Sequence, residues 1–563
     1  MAIFKNLSVD LSSKYVLASA LFALCILYPI GVAIHRLYFS RYAKFPGPKL
    51  AALTYGYMLY YDVFAGDGQY MYKIKDLHEE YSKRNHSPFT GALSARSNIY
   101  SVDSDSPIIR ISPHELHVID PDFYEVLFAG THTKRDKPPT WSQALSHPES
   151  MFGTISHEQH RVRRNAVSAF FSPGSLRRLE PLVQDCISRL IAVFRQYQKT
   201  GEVIEMKPAF GAMTSDIITE YCFGTTENYI EAPGFNAAVV ESTEAMTDKI
   251  HITVQAQWLP HLLDRLPDRL VASVLGSGMT KLSEMKHHCV KKIQETIISR
   301  GDFKDVKYRT IFHDLLDSPI LPESDKSVSR LWQEAQLLLG AGTVTTATSI
   351  SSALVYLLLD PKRMGVLLDE LETAMPDITK PKSGTELAQL PYLSAVVHEV
   401  LRLVTGVSYR LARSAPHESL QLGEWTIPPN TAVSMHAPLI HHSPDVYPEP
   451  WSFIPERWLP TPTPAGLPER PAHIPAGNHK YLVPLSKGTR QCLGQPLAYA
   501  EVHMTIAYIL RTFVRVEKDG NGEVTAVKGM RLYDTDRRDT DLKRELGIPQ
   551  PEKGRGTARM IIE

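Results

Sequence analysis

The sequence predicts a mainly α-helical fold with a small β region and a single transmembrane helix before it. Three observations lead to this prediction. Apolar residues in 158–300 recur mostly with helical spacing. No proline interrupts residues 323–360, which leaves room for a helix of up to ~45 Å through the centre of the molecule. Two short apolar runs within 107–119, separated by Ser-Pro-His-Glu, predict an antiparallel hairpin.

The transmembrane helix is predicted from residues 15–34, an uncharged and largely apolar run that spans ~30 Å as a helix. A cleaved signal peptide is the alternative, but the run exceeds the usual apolar core and no small-residue cleavage site follows. Arg36, Arg41 and Lys44 follow the run and favour a cytosolic C-terminal side. We therefore divide the chain into a short lumenal N-terminus (1–14), a transmembrane anchor (15–35), a basic, proline-rich hinge (36–50) and one large domain (51–563).

Charge and cysteine usage exclude several classes of protein. The chain has 61 basic and 61 acidic residues, so no bulk electrostatic attraction to nucleic acid is expected. Its five cysteines are scattered, odd in number and without a CxxC pair, which argues against a zinc site or a disulfide framework. A reducing, cytosol-facing domain fits this usage best.

The most informative segment is Leu485–Gly494, LSKGTRQCLG. A cysteine that ligates a heme iron must be a shielded thiolate, and backbone N–H groups nearby temper the charge of its sulfur. Gly488 and Gly494 would let the backbone fold tightly beneath a porphyrin, and Arg490 would reach a heme propionate. Taken alone, Cys492 is more often a buried apolar residue than a ligand, but this context reverses that preference.

A second motif, Gly340-Ala-Gly-Thr-Val-Thr-Thr346, lies in the middle of the proline-free segment. Each glycine inside a helix costs roughly 1 kcal/mol relative to alanine, so packing or function must justify it. A helix-packing groove is the alternative to a functional role. Thr345 favours function, because a threonine hydroxyl beside Gly342 can hold a water and hydrogen-bond iron-bound dioxygen.

A third pattern pairs Glu399 with Arg402, three residues apart on one helical face. Such pairs on solvated helices contribute little. Downstream, Phe453-Ile-Pro-Glu-Arg-Trp458 supplies Arg457. Spacing alone does not bring these three charges together.

These motifs, in this order, resemble the cytochrome P450 superfamily over residues 45–513. The overall wording is similar to that of filamentous-fungal members, trichodiene oxygenases among them, which oxidise terpenoids and other secondary metabolites. The resemblance implies the P450 fold and a monooxygenase that inserts one atom of dioxygen into a small apolar substrate by hydroxylation or epoxidation. It further implies heme b, electrons from NADPH through NADPH–cytochrome P450 reductase, with cytochrome b5 as a further donor, and a single-pass position in the endoplasmic reticulum membrane.

The resemblance also assigns roles to residues of this chain. Cys492 is the metal ligand, and Leu485 stands where the family's loop usually has phenylalanine. Gly342, Thr345 and Thr346 form the catalytic, oxygen-binding motif, in which Val344 replaces the usual acid. The resemblance also implies a structural lock, a set of buried and mutually paired charges that fixes the loop with Cys492 (Glu399, Arg402, Arg457). Loss of one partner there would cost ~3–5 kcal/mol. The remaining assignments are cofactor contacts (His160, Arg164, Arg413, Arg490, Gly488, Gly494, Leu485).

Four segments leave more open. Polar residues 82–106 follow a helical stretch at 70–81 and predict a loop or disordered segment; family members lack them, so they are a surface insertion or, as we favour, a gene-model error. The apolar patch 258–266 is either a core loop or a membrane-dipping loop over the substrate entrance. Arg161, Arg163 and Lys487 are candidates for binding an acidic redox partner. The charged tail beyond Asp534 is expected to be poorly packed.

Two other functions remain compatible with these motifs. One is a heme-thiolate isomerase or dehydratase that needs no reductase, although Thr345 argues mildly against it. The other is a heme-binding protein without turnover, if Val344 and the extra residues mark degeneration.

Overall fold

Helices form most of the structure. The computed structural model describes residues 22, 25–85, 107–263, 265–267, 270, 271, 273, 277–298 and 310–563. Beyond the N-terminal helix Cys25–Phe39, the α-helices span Lys49–Leu53, Gly56–Leu59, Tyr70–Asn85, Phe123–Leu127, His157–Ser168, Pro173–Thr200, Met206–Phe223, Ala238–Thr247, Ile250–Thr253, Trp258–Leu263, Ser277–Ile298, Ile311–Asp317, Val328–Leu358, Pro361–Ala374, Gly384–Leu387, Pro391–Val404, Ala437–His441 and Gln495–Phe513.

The helix Val328–Leu358, called here the central helix, confirms the expectation drawn from the proline-free segment. It packs against Met206–Phe223 and Gln495–Phe513. A Cβ at Gly340 would lie 2.8 Å from Met246 Cε, and one at Gly342 would lie 3.3 Å from Ile218 Cγ1. Close helix packing therefore accounts for both glycines without any cofactor.

The central helix also bears on the membrane. In the described part of the chain, it is the helix that is long and apolar enough to cross a bilayer. It is mostly buried inside the protein. Its apolar character is therefore that of a core helix.

The β region is small and divided among several sheets. Its main sheet has the order Ile108–Ser112, Glu115–Val118, Ala432–Met435, Leu411–Arg413, with only the middle pair parallel. The predicted hairpin at 107–119 forms its first two strands. The other strands are Ile204–Glu205, Leu420–Leu422, Trp425–Ile427, Arg515–Lys518, Val524–Lys528, Met530–Leu532, Arg544–Leu546, Ile548–Gln550 and Arg559–Ile562.

The predicted anchor at 15–35 lies partly outside the described residues, which omit 1–21, 23 and 24. The apolar helix that is described, Cys25–Phe39, continues four residues past the predicted boundary. The following hinge is fixed on the β region. Arg41 donates to the carbonyl oxygens of Pro429 and Asn430 at 2.8 Å, and the Phe45 ring stacks on Trp425 with centroids 5.4 Å apart.

Two expectations about irregular segments need correction. The helix beginning at Tyr70 runs to Asn85, so 82–85 are helical; Ser82 is buried there and its Oγ donates to the His78 carbonyl at 2.7 Å. Residues 86–106, most of the proposed insertion, lie outside the described residues. The tail beyond Asp534 is well packed, because its strands bury Met560 and Ile562 in the main core.

Candidate active site

The cysteine loop is a compact turn that leads into the helix Gln495–Phe513. Its ends are joined by the Cys492 N–H, which donates to the Leu485 carbonyl at 2.9 Å. Gly488 has a φ of +73°, and a Cβ there would lie 2.3 Å from the carbonyl oxygens of Phe128 and Ala129. The protein backbone, rather than a porphyrin, therefore requires glycine at this position.

Gly494 differs from the expectation in another way. Its φ is −79°, and the nearest atom to a Cβ there would be Phe171 Cε1 at 4.0 Å. Neither its conformation nor its protein neighbours require glycine. Its contribution is its backbone: the N–H groups of Gly494 and Gln495 bond to the Cys492 thiol and favour the thiolate.

The Cys492 thiol combines two properties. Burial raises its pKa, although the two backbone N–H groups and the Arg164 cation act in the opposite direction. The residue nevertheless has accessible surface, so the thiol is both surrounded by protein and reachable from one side. Coordination to a metal ion deprotonates such a thiol outright.

Five cationic or potentially cationic side chains lie near one another beside the cysteine loop, most of them deeply buried. The guanidiniums donate mainly to backbone carbonyls: Arg490 to Thr154 and Ile155 at 2.7 Å, and Arg164 to Gln491 at 2.8 Å. The full set, called the basic cluster, is Lys137, His160, Arg164, Arg413 and Arg490.

The basic cluster has an excess of positive charge that carbonyl contacts do not neutralise. Burial and the Arg413 guanidinium lower the pKa of Arg490 to about 9, and burial lowers the pKa of Arg413 to about 10. Burial and neighbouring cations also lower the pKa of His160 and of Lys137. Within the described structure, Arg490 Nε is buried without a hydrogen-bond partner. Two carboxylates would correct this imbalance, so the cluster fits the propionates of a heme.

Lys137 is the member of the cluster that sequence reasoning missed. Its Nζ donates to the Phe152 carbonyl and lies 3.3 Å from the Phe152 ring centroid. In sequence it belongs to the run Lys134-Arg-Asp-Lys137, which has the composition of a solvated face. Only the tertiary fold shows that Lys137, like Arg135, is buried.

The predicted helix residues are split between two faces. Ala341 is exposed and Thr345 half-buried although most of the central helix is buried, and Thr345 Oγ1 donates to the Ala341 carbonyl at 2.8 Å. Thr346 is buried and hydrogen-bonded to Glu501, and Val344 packs with Val240 and Ile548. Adjacent helical residues point about 100° apart. Thr345 thus lies on the same helix face as the exposed Ala341, whereas Thr346 points into the interior toward Glu501.

The three charges of the expected lock meet in the interior. Glu399 and Arg402 have side chains 0% exposed and form two bonds of 2.8 and 2.9 Å. Arg457 Nε lies 3.1 Å from the same carboxylate. Arg402 also donates to the His441 carbonyl at 2.8 Å, and the Val483 N–H donates to His441 Nε2 at 2.9 Å.

This arrangement connects the lock to the cysteine loop. Val483 lies two residues before Leu485, so the chain of contacts from Glu399 ends where the loop begins. Burial and the Arg402 cation lower the pKa of His441 to about 3, which keeps its ring neutral and able to accept at Nε2. His441 was not predicted, because nothing in the local sequence distinguishes it from His442.

The residues that are candidates for binding a redox partner differ in their exposure. Arg161 is exposed, and Lys487 pairs with Glu125 at 2.9 Å. Arg163 is buried and bound to Asp325, so it cannot contact a redox partner. In the patch at 258–266, Trp258–Leu263 form a short helix, and Trp258 is 65% exposed.

Comparisons with known proteins agree with this geometry. The Cytochrome P450 family model matches residues 107–530. The chain is 34% identical to the cytochrome P450 monooxygenase tpcC of Cochliobolus heterostrophus, over 99% of each chain. It is 34% identical to the tryptophan 6-hydroxylase fscE of Fusarium equiseti, over 95% of this chain and 94% of that one. It is 33% identical to the conidiogenone synthase PchP450 of Penicillium rubens, over 94% and 96%.

A solved structure shares the fold. The crystal structure of the cytochrome P450 CYP102L1 superposes with a TM-score of 0.59 at 17% identity, covering 81% of this chain and 91% of that one. The protein thus belongs to the cytochrome P450 family and is an oxidoreductase of the monooxygenase type.

Proposed function

We propose that the protein inserts one oxygen atom from dioxygen into an apolar substrate of fungal secondary metabolism, by hydroxylation or epoxidation. The observation that carries the proposal is the accessible Cys492 thiol beside the basic cluster. Cys492 would ligate the iron of heme b, and Arg490, Arg164 and Lys137 would pair with its propionates. When bound, the heme supplies the activation of dioxygen, using electrons that originate from NADPH.

Thr345 is the residue to which we assign proton handling. Because its hydroxyl donates to the Ala341 carbonyl, its oxygen lone pairs are free to accept a hydrogen bond from a water on the accessible face. Val344 and Thr346 point elsewhere. Proton delivery therefore depends on Thr345 and ordered water rather than on a carboxylate at position 344.

The substrate class is argued from the accessible surface beside Thr345. A Cβ added at Gly406 would lie 3.5 Å from the Thr345 Cβ, so this glycine lies close to Thr345. The neighbouring residues Val407 and Ala341 are exposed and apolar, which favours a hydrocarbon-rich ligand. The names of the relatives point to unlike molecules, tryptophan and conidiogenone, and so do not decide the substrate. Because the surface beside Thr345 is apolar, we propose a terpenoid or a similarly apolar secondary metabolite.

The electron donor we propose is NADPH–cytochrome P450 reductase, with cytochrome b5 as a further donor. Arg161 lies on the helix His157–Ser168, whose Arg164 contacts the cysteine loop, and Lys487 lies on that loop. These two cations would attract an acidic partner to the side of the protein that carries Cys492.

We also propose that residues 15–35 anchor the protein in the endoplasmic reticulum membrane, with the catalytic domain in the cytosol. Supporting features are the apolar helix Cys25–Phe39 and the exposed side chains of Trp258, Leu262 and Leu270. Alkaline carbonate extraction of microsomes is the test. Retention in the pellet supports the anchor, and release into the supernatant contradicts it.

The function is tested by turnover. Metabolites of the deletion strain and its parent are compared to find the accumulated precursor, which is then given to the full-length protein with reductase, NADPH and isotopically labelled dioxygen. A product carrying one labelled oxygen supports the proposal. Conversion without reductase would indicate an isomerase or dehydratase, and heme binding without conversion would indicate a non-catalytic protein.

A further inference from the structure

Arg163 is held in the interior by four hydrogen bonds. Its Nε and Nη2 donate to the two carboxylate oxygens of Asp325, both at 2.8 Å. Its Nη1 donates at 2.8 Å to the Glu149 carbonyl and to Thr154 Oγ1. A forked contact with a carboxylate fixes the plane of a guanidinium, so the direction of Nη1 toward Thr154 is fixed as well.

Asp325 belongs to the start of the central helix. It lies in the turn Glu323–Lys326, which is separated from Val328 by Ser327 alone, and its carbonyl accepts from Arg330 Nη1 at 3.3 Å. One turn later, Glu334 Oε2 accepts the Met151 N–H at 3.0 Å. Residues 149–155 are therefore tied to the central helix at more than one point.

The segment 149–155 also contacts the basic cluster. The carbonyl oxygens of Thr154 and Ile155 accept from Arg490 Nη1 and Nη2, each at 2.7 Å. The Ile155 carbonyl also accepts the Lys137 N–H at 3.0 Å. Thr154 thus receives Arg163 on its hydroxyl and Arg490 on its carbonyl.

From this geometry we propose that Arg163, paired with Asp325, is a positioning residue for heme binding. It fixes the Thr154–Ile155 turn, whose carbonyls aim Arg490 at the propionate site, and so couples the start of the central helix to the cysteine loop. This inference rests on the proposed function, since it needs heme as the ligand of the basic cluster. A buried ion pair is weak support for stability but a good means of fixing geometry.

The proposal separates Arg163 from its neighbour Arg161. Arg161 lies two residues earlier on the same helix, and its side chain is 67% exposed. Lysine keeps the charge at either position but cannot form the fork. Arg163→Lys should therefore disturb the cluster, whereas Arg161→Lys is the matched control.

Thr154 offers a variant that leaves the ion pair intact. Thr154→Val keeps the shape of the side chain but removes the hydroxyl, which accepts the Arg163 Nη1 bond and donates to the Ser150 carbonyl at 2.7 Å. Thr154→Ser restores a hydroxyl for both contacts. Because valine leaves both Arg163 and Asp325 in place, this variant remains informative if Arg163→Lys does not fold.

The experiment uses full-length, heme-loaded protein. It measures the rate of heme transfer to excess apomyoglobin and the ferric/ferrous midpoint potential. Hydrogen bonds to charged groups are strong enough that Thr154→Val and Arg163→Lys should lose heme about tenfold faster. Their potentials should shift to more negative values, because Arg490 would compensate the propionate charge less well. Thr154→Ser and Arg161→Lys should match the parent.

Two results would overturn the inference. Unchanged transfer rates and potentials in Thr154→Val, with a parent that binds heme normally, would overturn it alone and leave the proposed function intact. A parent that binds no heme would overturn both together.

Discussion

The indole of Trp458 donates its Nε1–H to Glu399 Oε2 at 2.8 Å, so the lock includes an aromatic residue as well as three charges. The Ile454 N–H donates to the other oxygen at 2.9 Å. Burial works to raise the pKa of Glu399, but the Arg402 and Arg457 guanidiniums outweigh it and hold the pKa below its ordinary value. The carboxylate therefore stays ionised in the interior.

The first prediction concerns this carboxylate. Glu399→Gln leaves the buried Arg402 and Arg457 cations without their counter-charge, which should destabilise the protein by ~3–5 kcal/mol. The contacts through His441 to Val483 would loosen, and the purified variant should retain little heme. Heme content and the unfolding midpoint measure both effects.

The matched control is Glu372→Gln. Glu372 pairs with Arg511 at 3.1 Å, but its side chain is exposed, and such surface pairs contribute ~0–1 kcal/mol. If Glu399→Gln has the heme content and stability of this control, the Arg402 and Arg457 cations do not depend on the Glu399 charge, and the prediction is wrong.

The second prediction concerns Thr345. Thr345→Val removes the hydroxyl on the accessible face, so peroxide should form at the expense of product. We expect product per NADPH consumed to fall roughly tenfold, less than the ~10²–10⁴ that general acid–base groups supply, because water still reaches the site. Thr345→Ser should preserve coupling; a Thr345→Val enzyme equally well coupled would remove Thr345 from proton delivery.

The third prediction concerns Val344, which packs with Val240 and Ile548. Introducing glutamate there would bury a carboxylate without a partner, at a cost of at least ~2 kcal/mol. Val344→Glu should therefore unfold at lower temperature than the same substitution at the exposed Val126. A stable Val344→Glu protein with an altered peroxide-to-product ratio would instead place residue 344 on the accessible face beside Thr345.

The fourth prediction is a pH dependence from Glu545. Burial, together with the nearby Asp62 charge, raises the pKa of Glu545 from 4.5 to about 8. The folded state thus holds a proton that the unfolded state releases. The stability from this group is fully present below about pH 4.5 and is lost as pH rises through about 8.

Glu545→Gln keeps a neutral side chain at every pH, so its unfolding midpoint should fall less than that of the parent between about pH 5 and about pH 9. Burial also raises the pKa of Asp62, to about 7. Asp62 therefore gives both proteins part of the fall in stability with rising pH. The exposed Glu552 supplies the control, Glu552→Gln. Parallel curves for parent and Glu545→Gln would mean that Glu545 is ionised when folded.

Parts of the fold and of the site could be predicted from the sequence where a local pattern and a motif coincided. The absence of proline around 323–360 predicts the central helix, and the spacing of Glu399 and Arg402 places both charges on one face. Arg457 follows from its own motif. The first two features are local in sequence, so periodicity and spacing are sufficient to find them. The place of Arg457 in the lock came from the resemblance to the family.

What could not be predicted depends on tertiary contacts. Arg163 has the sequence context of a solvated basic face, and its burial becomes visible only through Asp325, 162 residues away. Lys137 and Trp458 are similar cases, since each acquires its role from a distant segment. Thr346 was assigned from its motif, although one helical step turns it toward Glu501.

The central claim is a bond between the Cys492 sulfur and heme iron, and it is tested most directly by the carbon-monoxide difference spectrum of the reduced, full-length protein. The account predicts the long-wavelength band of thiolate ligation in the parent and its loss in Cys492→His, with Cys222→Ser, a buried cysteine elsewhere, unchanged. A parent without heme, or one whose spectrum shows nitrogen ligation and does not respond to Cys492→His, would contradict the account.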